Sequence, residues 1–360
     1  MPIVTDIQRI DLLRELCLEF GPTGCESAVS KSIEKKLDDM GYSHKTDKLG
    51  NLIVHIPCKN AKKLMISAHM DEVGFIVNDI TSEGYLKFST LGGIDPRVLC
   101  GKHVTVQAKD GGYIPGAIAS KAIHHQTADE RKQATPVKSM YIDIGAKDKA
   151  DAETKTELGA SGTFDSDFVL FGENGSYIKG KAIDDRLGCA EMLYALDKIK
   201  NENIPLDLWF CFTVREEIGL SGARTAAQAI APDYSVVLET TAVADLPDVA
   251  ENSKVAILGE GGAVSLRDRS TIYDRGLVSF IMGLAKEKGI KAQYKRYVSG
   301  GNDAGSIHKS GSGVKALAIS APSRYIHSPA CVVSRDDYLS IGELLVAFIK
   351  EFDTEKIENA

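Results

Sequence analysis

An α/β protein with a small β domain inserted into it is the architecture that three features of the chain predict. Amphipathic helices alternate with short apolar strands from residue 1 to 72 and again from 161 to 360. Between them, residues 73–160 change texture: short β-rich pieces are separated by Gly, Asp and Lys turns, with no long helix. The strands outside the insert are apolar on both faces, as strands of a central sheet flanked by helices must be.

The first element, TDIQRIDLLRELCLEF, carries Ile7, Ile10, Leu13, Leu16 and Phe20 at helical spacing, with Thr5 or Asp6 as cap and Gly21-Pro22 as stop. ESAVSKSIEKKLDDMG follows with Val29, Ile33, Leu37 and Met40 on one face and a closing Gly41. LIVHI (52–56) and LMISA (64–68) read as strands. In the insert, strands are expected at Val104–Ala108, Ile114–Ala119 and Met140–Ile144, and the polar run 121–138 as a mobile loop. Beyond residue 161, DRLGCAEMLYALDKIK, GARTAAQAI, LVSFIMGLAKEKG and DDYLSIGELLVAFIKEF read as helices. LWFCFTV, YSVVLE, QYKRYV and VKALAI read as strands.

At 360 residues, two domains of ordinary size are expected, and neither needs a metal or disulfide merely to fold. The net charge of -7, with both signs interspersed, argues against a nucleic-acid partner. Seven scattered cysteines without a CxxC pair indicate a reducing compartment. The N-terminal profile is not that of a signal peptide, and no apolar run reaches the roughly 20 residues of a membrane helix. A cytoplasmic protein is the expectation.

Chemistry concentrates where apolar strands end. LMISAHMDEVGFIV places His69, Asp71 and Glu72 inside core-like sequence. In an extended chain His69 and Asp71 share a face, so a ligating or a purely structural His–Asp pair fits equally. In KAIDDRLGC one of Asp184 and Asp185 serves as helix cap, and Asp184 is the candidate to point away. The strand Leu208–Val214 runs into Arg215-Glu216-Glu217, Glu239 closes YSVVLE, and His327 follows VKALAI in SRYIHSP. Acidic residues at the carboxyl ends of buried strands sit where α/β folds build sites. Two histidines and three carboxylates exceed one tetrahedral zinc and suit two ions about 3.5–4 Å apart, bridged by a carboxylate and a water. A row of buried carboxylates without cations would be costly. The pair His124-His125 reads as solvated, and SGGNDAG (299–305) as either a site wall or a plain turn.

In this order, ISAHMDEVGF, GKAIDDRLGC, TVREEIGLSGA, the Glu239 strand end, SGGNDAGSIH and PSRYIHSP resemble the TET aminopeptidases over nearly the whole chain. These are cytosolic metallo-aminopeptidases that include glutamyl and deblocking enzymes, some once labelled endoglucanases. The resemblance implies the co-catalytic metallopeptidase fold, with a central mixed sheet and a barrel-like β domain used for dimerisation. It implies one metal on His69, Asp184 and Glu239, and a second on Asp184, Glu217 and His327, with Asp184 as bridge and zinc or cobalt as the ions. Glu216 would be the general base and Asp71 would orient His69. Peptides would be the substrates, and dimers would assemble into a hollow tetrahedral dodecamer. Two positions depart from the family: many members carry Asp where Glu239 stands, and Glu where Cys331 stands. A deacylase or carboxypeptidase on the same scaffold is the alternative reading, and a metal-free glycosidase a more distant one.

Overall fold

The computed structural model describes residues 5–359, so residues 1–4 and 360 of the expected catalytic segments lie outside the description. An eleven-stranded mixed sheet forms the larger body. Its order is His44–Thr46, Leu52–Ile56, Asp207–Thr213, Lys63–His69, Tyr234–Ala242, Lys315–Arg324, Cys331–Ser334, Tyr177–Gly180 and Val169–Phe171, with Gly262–Ser265 and Ala292–Lys295 attached beside Lys315–Arg324. The four strands Asp207–Thr213, Lys63–His69, Tyr234–Ala242 and Lys315–Arg324 are mutually parallel, so their carboxyl ends share one edge of the sheet. Thr213 lies opposite His69 and Glu239 opposite Ser320. Leu64, Met65, Ile66, Leu208, Phe210, Val236, Val237, Leu238 and Leu317 are wholly buried there, which explains why these strands read as unbroken apolar runs.

The helix Ile183–Ile199 is apolar on nearly every side because it lies beneath the sheet and is covered from outside by Asp6–Leu18 and Arg335–Lys350. Thr5 caps Asp6–Leu18 through a reciprocal capping box with Gln8. Ile7, expected on the buried face of that helix, is exposed, and Arg9 is buried instead. The guanidinium bonds Glu191 Oε2 and the Leu339 carbonyl, each at 2.7 Å, so an ion pair joins Ile10, Leu13 and Leu16 on the buried face. Helix Ser27–Met40 buries Val29, Ile33, Leu37 and Met40 as its spacing predicts, and Gly41 ends it at φ 76°.

The insert folds as a closed antiparallel barrel with strand order Gly74–Ile80, Leu86–Leu91, Tyr141–Asp143, Tyr113–Ala119, His103–Gln107 and Ser161–Phe164. It has its own core, in which the Phe75 ring packs edge-on against Phe88 and Phe164 at 5.3 and 5.1 Å. The closing strand runs to Phe164, past the expected junction at 160, because pairing with Phe75 and Val106 requires it. A short helix, Lys149–Lys155, interrupts the β texture, and 121–138 contains only 3₁₀ turns.

Candidate metal centre

The carboxyl edge of the four parallel strands collects the ionisable residues. His69 is the last residue of its strand, Glu216 and Glu217 follow Thr213, Glu239 lies inside Tyr234–Ala242, and His327 follows Arg324 by a short turn. Asp184 arrives from the side: Asp184 and Asp185 depart from helical dihedrals and are joined by a cis peptide, so regular helix begins only after them. Asp185 Oδ1 accepts the Gly188 amide at 3.0 Å and does the capping, which leaves Asp184 turned into the site.

Asp184 stands between the two histidines. Its Oδ1 is 3.4 Å from His69 Nε2 and its Oδ2 is 3.3 Å from His327 Nε2. Glu239 Oε1 lies 3.8 Å from His69 Nε2, and Glu217 Oε1 lies 3.5 Å from His327 Nε2. Each imidazole makes its hydrogen bond through Nδ1, His69 to the Asp71 carbonyl at 3.0 Å and His327 to the Gly93 carbonyl at 2.7 Å. With Nδ1 as donor, Nε2 is left as a lone-pair donor facing the carboxylates. Gly93 belongs to a barrel loop, so the inserted domain orients one of the histidines.

The donor set of carboxylate oxygens and imidazole nitrogens fits divalent cations. Ligand atoms of His69, Asp185 and Glu239 gather within 4.8 Å of one another, as do those of Asp184, Glu217 and His327. Asp184 Oδ1, Asp185 Oδ2 and Glu239 Oε1 are buried without any hydrogen-bond partner. Buried carboxylate oxygens without donors are what a cation would satisfy. Asp185 is thus a candidate ligand beyond those predicted. Asp184 approaches both histidines, whereas one oxygen of Asp185 is held by the cap.

A model of the M42 glutamyl aminopeptidase family matches residues 50–344. The chain belongs to that family. The M42 enzyme is 32% identical over 350 residues to the putative aminopeptidase FrvX of Escherichia coli K12, covering 97% of each chain. Its structure is similar to that of a TET aminopeptidase from a marine sediment thaumarchaeote, with TM-score 0.93 and 34% identity over 98% of this chain and 99% of that one. It is also similar to the Pyrococcus horikoshii TET1 peptidase, which assembles into a tetrahedron or a large octahedral shell. There the TM-score is 0.85 and identity 30%, over 96% and 100% of the two chains. The M42 chain is accordingly a peptide hydrolase, an aminopeptidase with the TET peptidase fold.

Electrostatics of the aminopeptidase site are those of a cluster short of positive charge. Burial drives Glu216 and Glu239 well above the usual carboxylate range and lifts Glu217 to about 7. Burial alone would lower the histidines, yet Asp184 with Asp71 and Glu239 carries His69 well upward, and Asp184 with Glu217 carries His327 to about 10. Burial would raise Asp184, but His327 and His69 outweigh it and hold it far down.

Asp71, expected to orient His69, meets Nδ1 through its carbonyl at 3.0 Å, and its carboxylate lies 3.5 Å from that atom. That carboxylate accepts from Thr23 Oγ1 at 2.6 Å, from the Glu216 amide at 3.0 Å and from the Glu217 amide at 3.2 Å. Asp303, in the Gly-rich SGGNDAG segment, accepts from Thr213 Oγ1 at 2.6 Å, and its buried Oδ1 has no partner. Spacing alone reveals neither the Thr23 nor the Asp303 contact, because both join segments far apart in the chain. Cys331 lines a small cavity with Asp184, Glu217 and His327, and burial pushes its thiol up. His124 and His125 are exposed. A larger cavity at the opposite ends of the strands, lined by Lys62, Asp233, Tyr234, Lys315 and Glu358, has its charges paired among themselves and gathers no ligand set.

Proposed function

We propose that this aminopeptidase removes N-terminal residues from peptides with a dinuclear metal site, His69, Asp184 and Glu239 holding one ion, and Asp184, Glu217 and His327 the other. The observation that carries the reading is Asp184, whose two oxygens face the two histidines while neighbouring buried carboxylate oxygens lack any donor. Bound there, two divalent cations would acidify water and polarise the scissile carbonyl. Glu216, beside the ligand Glu217 but not needed as one, takes the proton of the attacking water and delivers it to the leaving amine. Asp71 fixes the His69 tautomer and the Glu216-Glu217 backbone.

Residues 1–72 and the chain beyond Phe164 form the catalytic unit in this reading, and the barrel between them the dimerisation domain, with dimers assembling into a tetrahedral dodecamer. The similarity to the TET1 peptidase supports that assembly. Among the described residues no helix is long and apolar enough to cross a membrane, and all seven cysteines are free, which supports a cytoplasmic location.

The test is a panel of aminoacyl-p-nitroanilides assayed after chelation and after add-back of zinc or cobalt. Turnover is expected to vanish with the metal and return with it. Glu216→Gln is expected to bind metal normally and lose about 10²–10⁴-fold in kcat. Near-normal turnover of this variant would exclude Glu216 as the base.

A further inference from the structure

The geometry points to the GPTGCE turn, residues 21–26, as the device that positions the Glu216-Glu217 pair, with Thr23 and Glu26 as positioning residues. This rests on the roles given above to Glu216 and Glu217. The turn lies ahead of the residues matched by the family model, 50–344.

The strand Asp207–Thr213 ends where its neighbour Lys63–His69 ends, and the Met70 amide makes the closing bond to the Thr213 carbonyl at 2.7 Å. Beyond that point four successive amides are each taken by a side chain. Val214 donates to Asn51 Oδ1 at 3.1 Å, Arg215 to Glu26 Oε1 at 3.3 Å, Glu216 to Asp71 Oδ1 at 3.0 Å, and Glu217 to Asp71 Oδ2 at 3.2 Å. Glu26, Asn51 and Asp71 are all buried. Arg215 sits at φ 58°, in the left-handed region that a side-chain-bearing residue keeps only where its surroundings dictate it.

The acceptors are themselves anchored. Glu26 Oε1 also takes the Gly24 amide at 2.8 Å, which closes the GPTGCE turn on itself. Thr23 Oγ1 donates to Asp71 Oδ2 at 2.6 Å, fixing the oxygen that receives Glu217. The Thr23 amide bonds the Glu72 carbonyl and the Glu72 amide bonds the Gly21 carbonyl, both at 3.0 Å, so the turn is bridged to the segment that carries Asp71. Two routes therefore run from one turn to the catalytic backbone: directly through Glu26 to Arg215, and through Thr23 and Asp71 to Glu216 and Glu217. A general base and a neighbouring ligand pointing in different directions need their common backbone fixed, since a displacement near 1 Å can cost about 10²-fold in rate.

The test pairs each disruptive variant with one that keeps the hydrogen-bonding atom: Thr23→Val with Thr23→Ser, and Glu26→Met with Glu26→Gln, whose amide oxygen still accepts. Each full-length protein is titrated with Co²⁺, followed by visible absorption, and then assayed on an aminoacyl-p-nitroanilide at saturating metal. Thr23→Val and Glu26→Met are expected to lose about 10–100-fold in kcat, the range for outer partners of a metal site, with KM within about twofold. Thr23→Val, which releases the Asp71 oxygen that holds the Glu217 amide, is expected in addition to weaken cobalt binding and alter the cobalt absorption band. Thr23→Ser and Glu26→Gln are expected to stay near the parent. Should one disruptive variant fail to fold, the other pair decides. The inference is overturned if the folded disruptive variants keep kcat and cobalt affinity within twofold of the parent, or if Thr23→Ser and Glu26→Gln fall as far as they do. Full turnover by Glu216→Gln would instead overturn the assignment of the base, whatever Thr23 and Glu26 do.

Discussion

Asp71 and Glu72 are neighbours in sequence, equally acidic and equally buried, yet they border opposite kinds of site. Glu72 is saturated: Lys181 Nζ lies 2.7 Å and Arg186 3.4 Å from its Oε1, and Thr163 Oγ1 donates to Oε2 at 2.8 Å. Burial lowers Lys181, but Glu72 is the largest influence opposing that. On the Asp71 side, Asp184, Asp185 and Glu239 each keep an oxygen without a donor. One cluster carries its cations as side chains and ties together the N-terminal turn, the barrel and the helix Ile183–Ile199. The other has carboxylates and histidines without such a lysine or arginine partner at those orphan oxygens, and in the proposed reading takes ions from solution. Buried charge becomes a structural brace or a binding site according to whether its counter-charge is covalently supplied.

The largest expected effect that tests this contrast is on the braced side. Lys181→Met leaves Glu72 under-compensated in the interior and is expected to destabilise the protein by about 3–5 kcal/mol in denaturant unfolding. The number of ions bound by any folded protein should not change. A fall below 1 kcal/mol would show that Arg186 alone satisfies Glu72. Next in size is the response to metal itself. Zinc or cobalt at about 100 times its dissociation constant is expected to stabilise the wild type by about 2.7 kcal/mol, read as a raised Tm that EDTA reverses. Absence of any shift would mean the orphan oxygens do not bind cations under those conditions.

Asp184→Asn separates the clusters further. In metal-free protein it removes the charge that His327 and His69 stabilise, so a modest loss of stability is expected, while the metal-dependent rise in Tm disappears. A destabilisation comparable with Lys181→Met would place Asp184 among the structural residues. The smallest effect expected is that of Glu239→Asp, which restores the residue many family members carry. It should keep both ions and change turnover only severalfold, checked by metal content and kcat.

How far the sequence reaches follows from these same residues. Local pattern was enough for the parallel strands, because strands buried on both faces must be apolar throughout, and for the helix faces of Ser27–Met40. It drew attention to His69, Glu217, Glu239 and His327 because polar groups near the ends of such strands break the pattern, and to Asp184 as one of two adjacent carboxylates where a helix begins. It misled at Ile7, where a distant carboxylate, Glu191, made Arg9 the better residue to bury. It placed the end of the insert at 160 although the last barrel strand runs to Phe164, since a strand's limits depend on its partners.

What the amino-acid order determined by itself is therefore the alternation of elements, the inserted β segment and the identity of the unusual ionisable residues. Each of these is read over a few neighbouring positions. Tertiary structure alone decided which buried carboxylate meets a cation and which meets none, that Asp185 caps while Asp184 turns inward, and that Asn51, Glu26 and the Thr23-bound Asp71 hold the amides of Val214–Glu217. Those outcomes depend on hydrogen bonds and ion pairs between residues up to about 190 positions apart, such as Glu26 and Arg215. Such contacts are short-ranged in space, and only the folded chain brings their partners together.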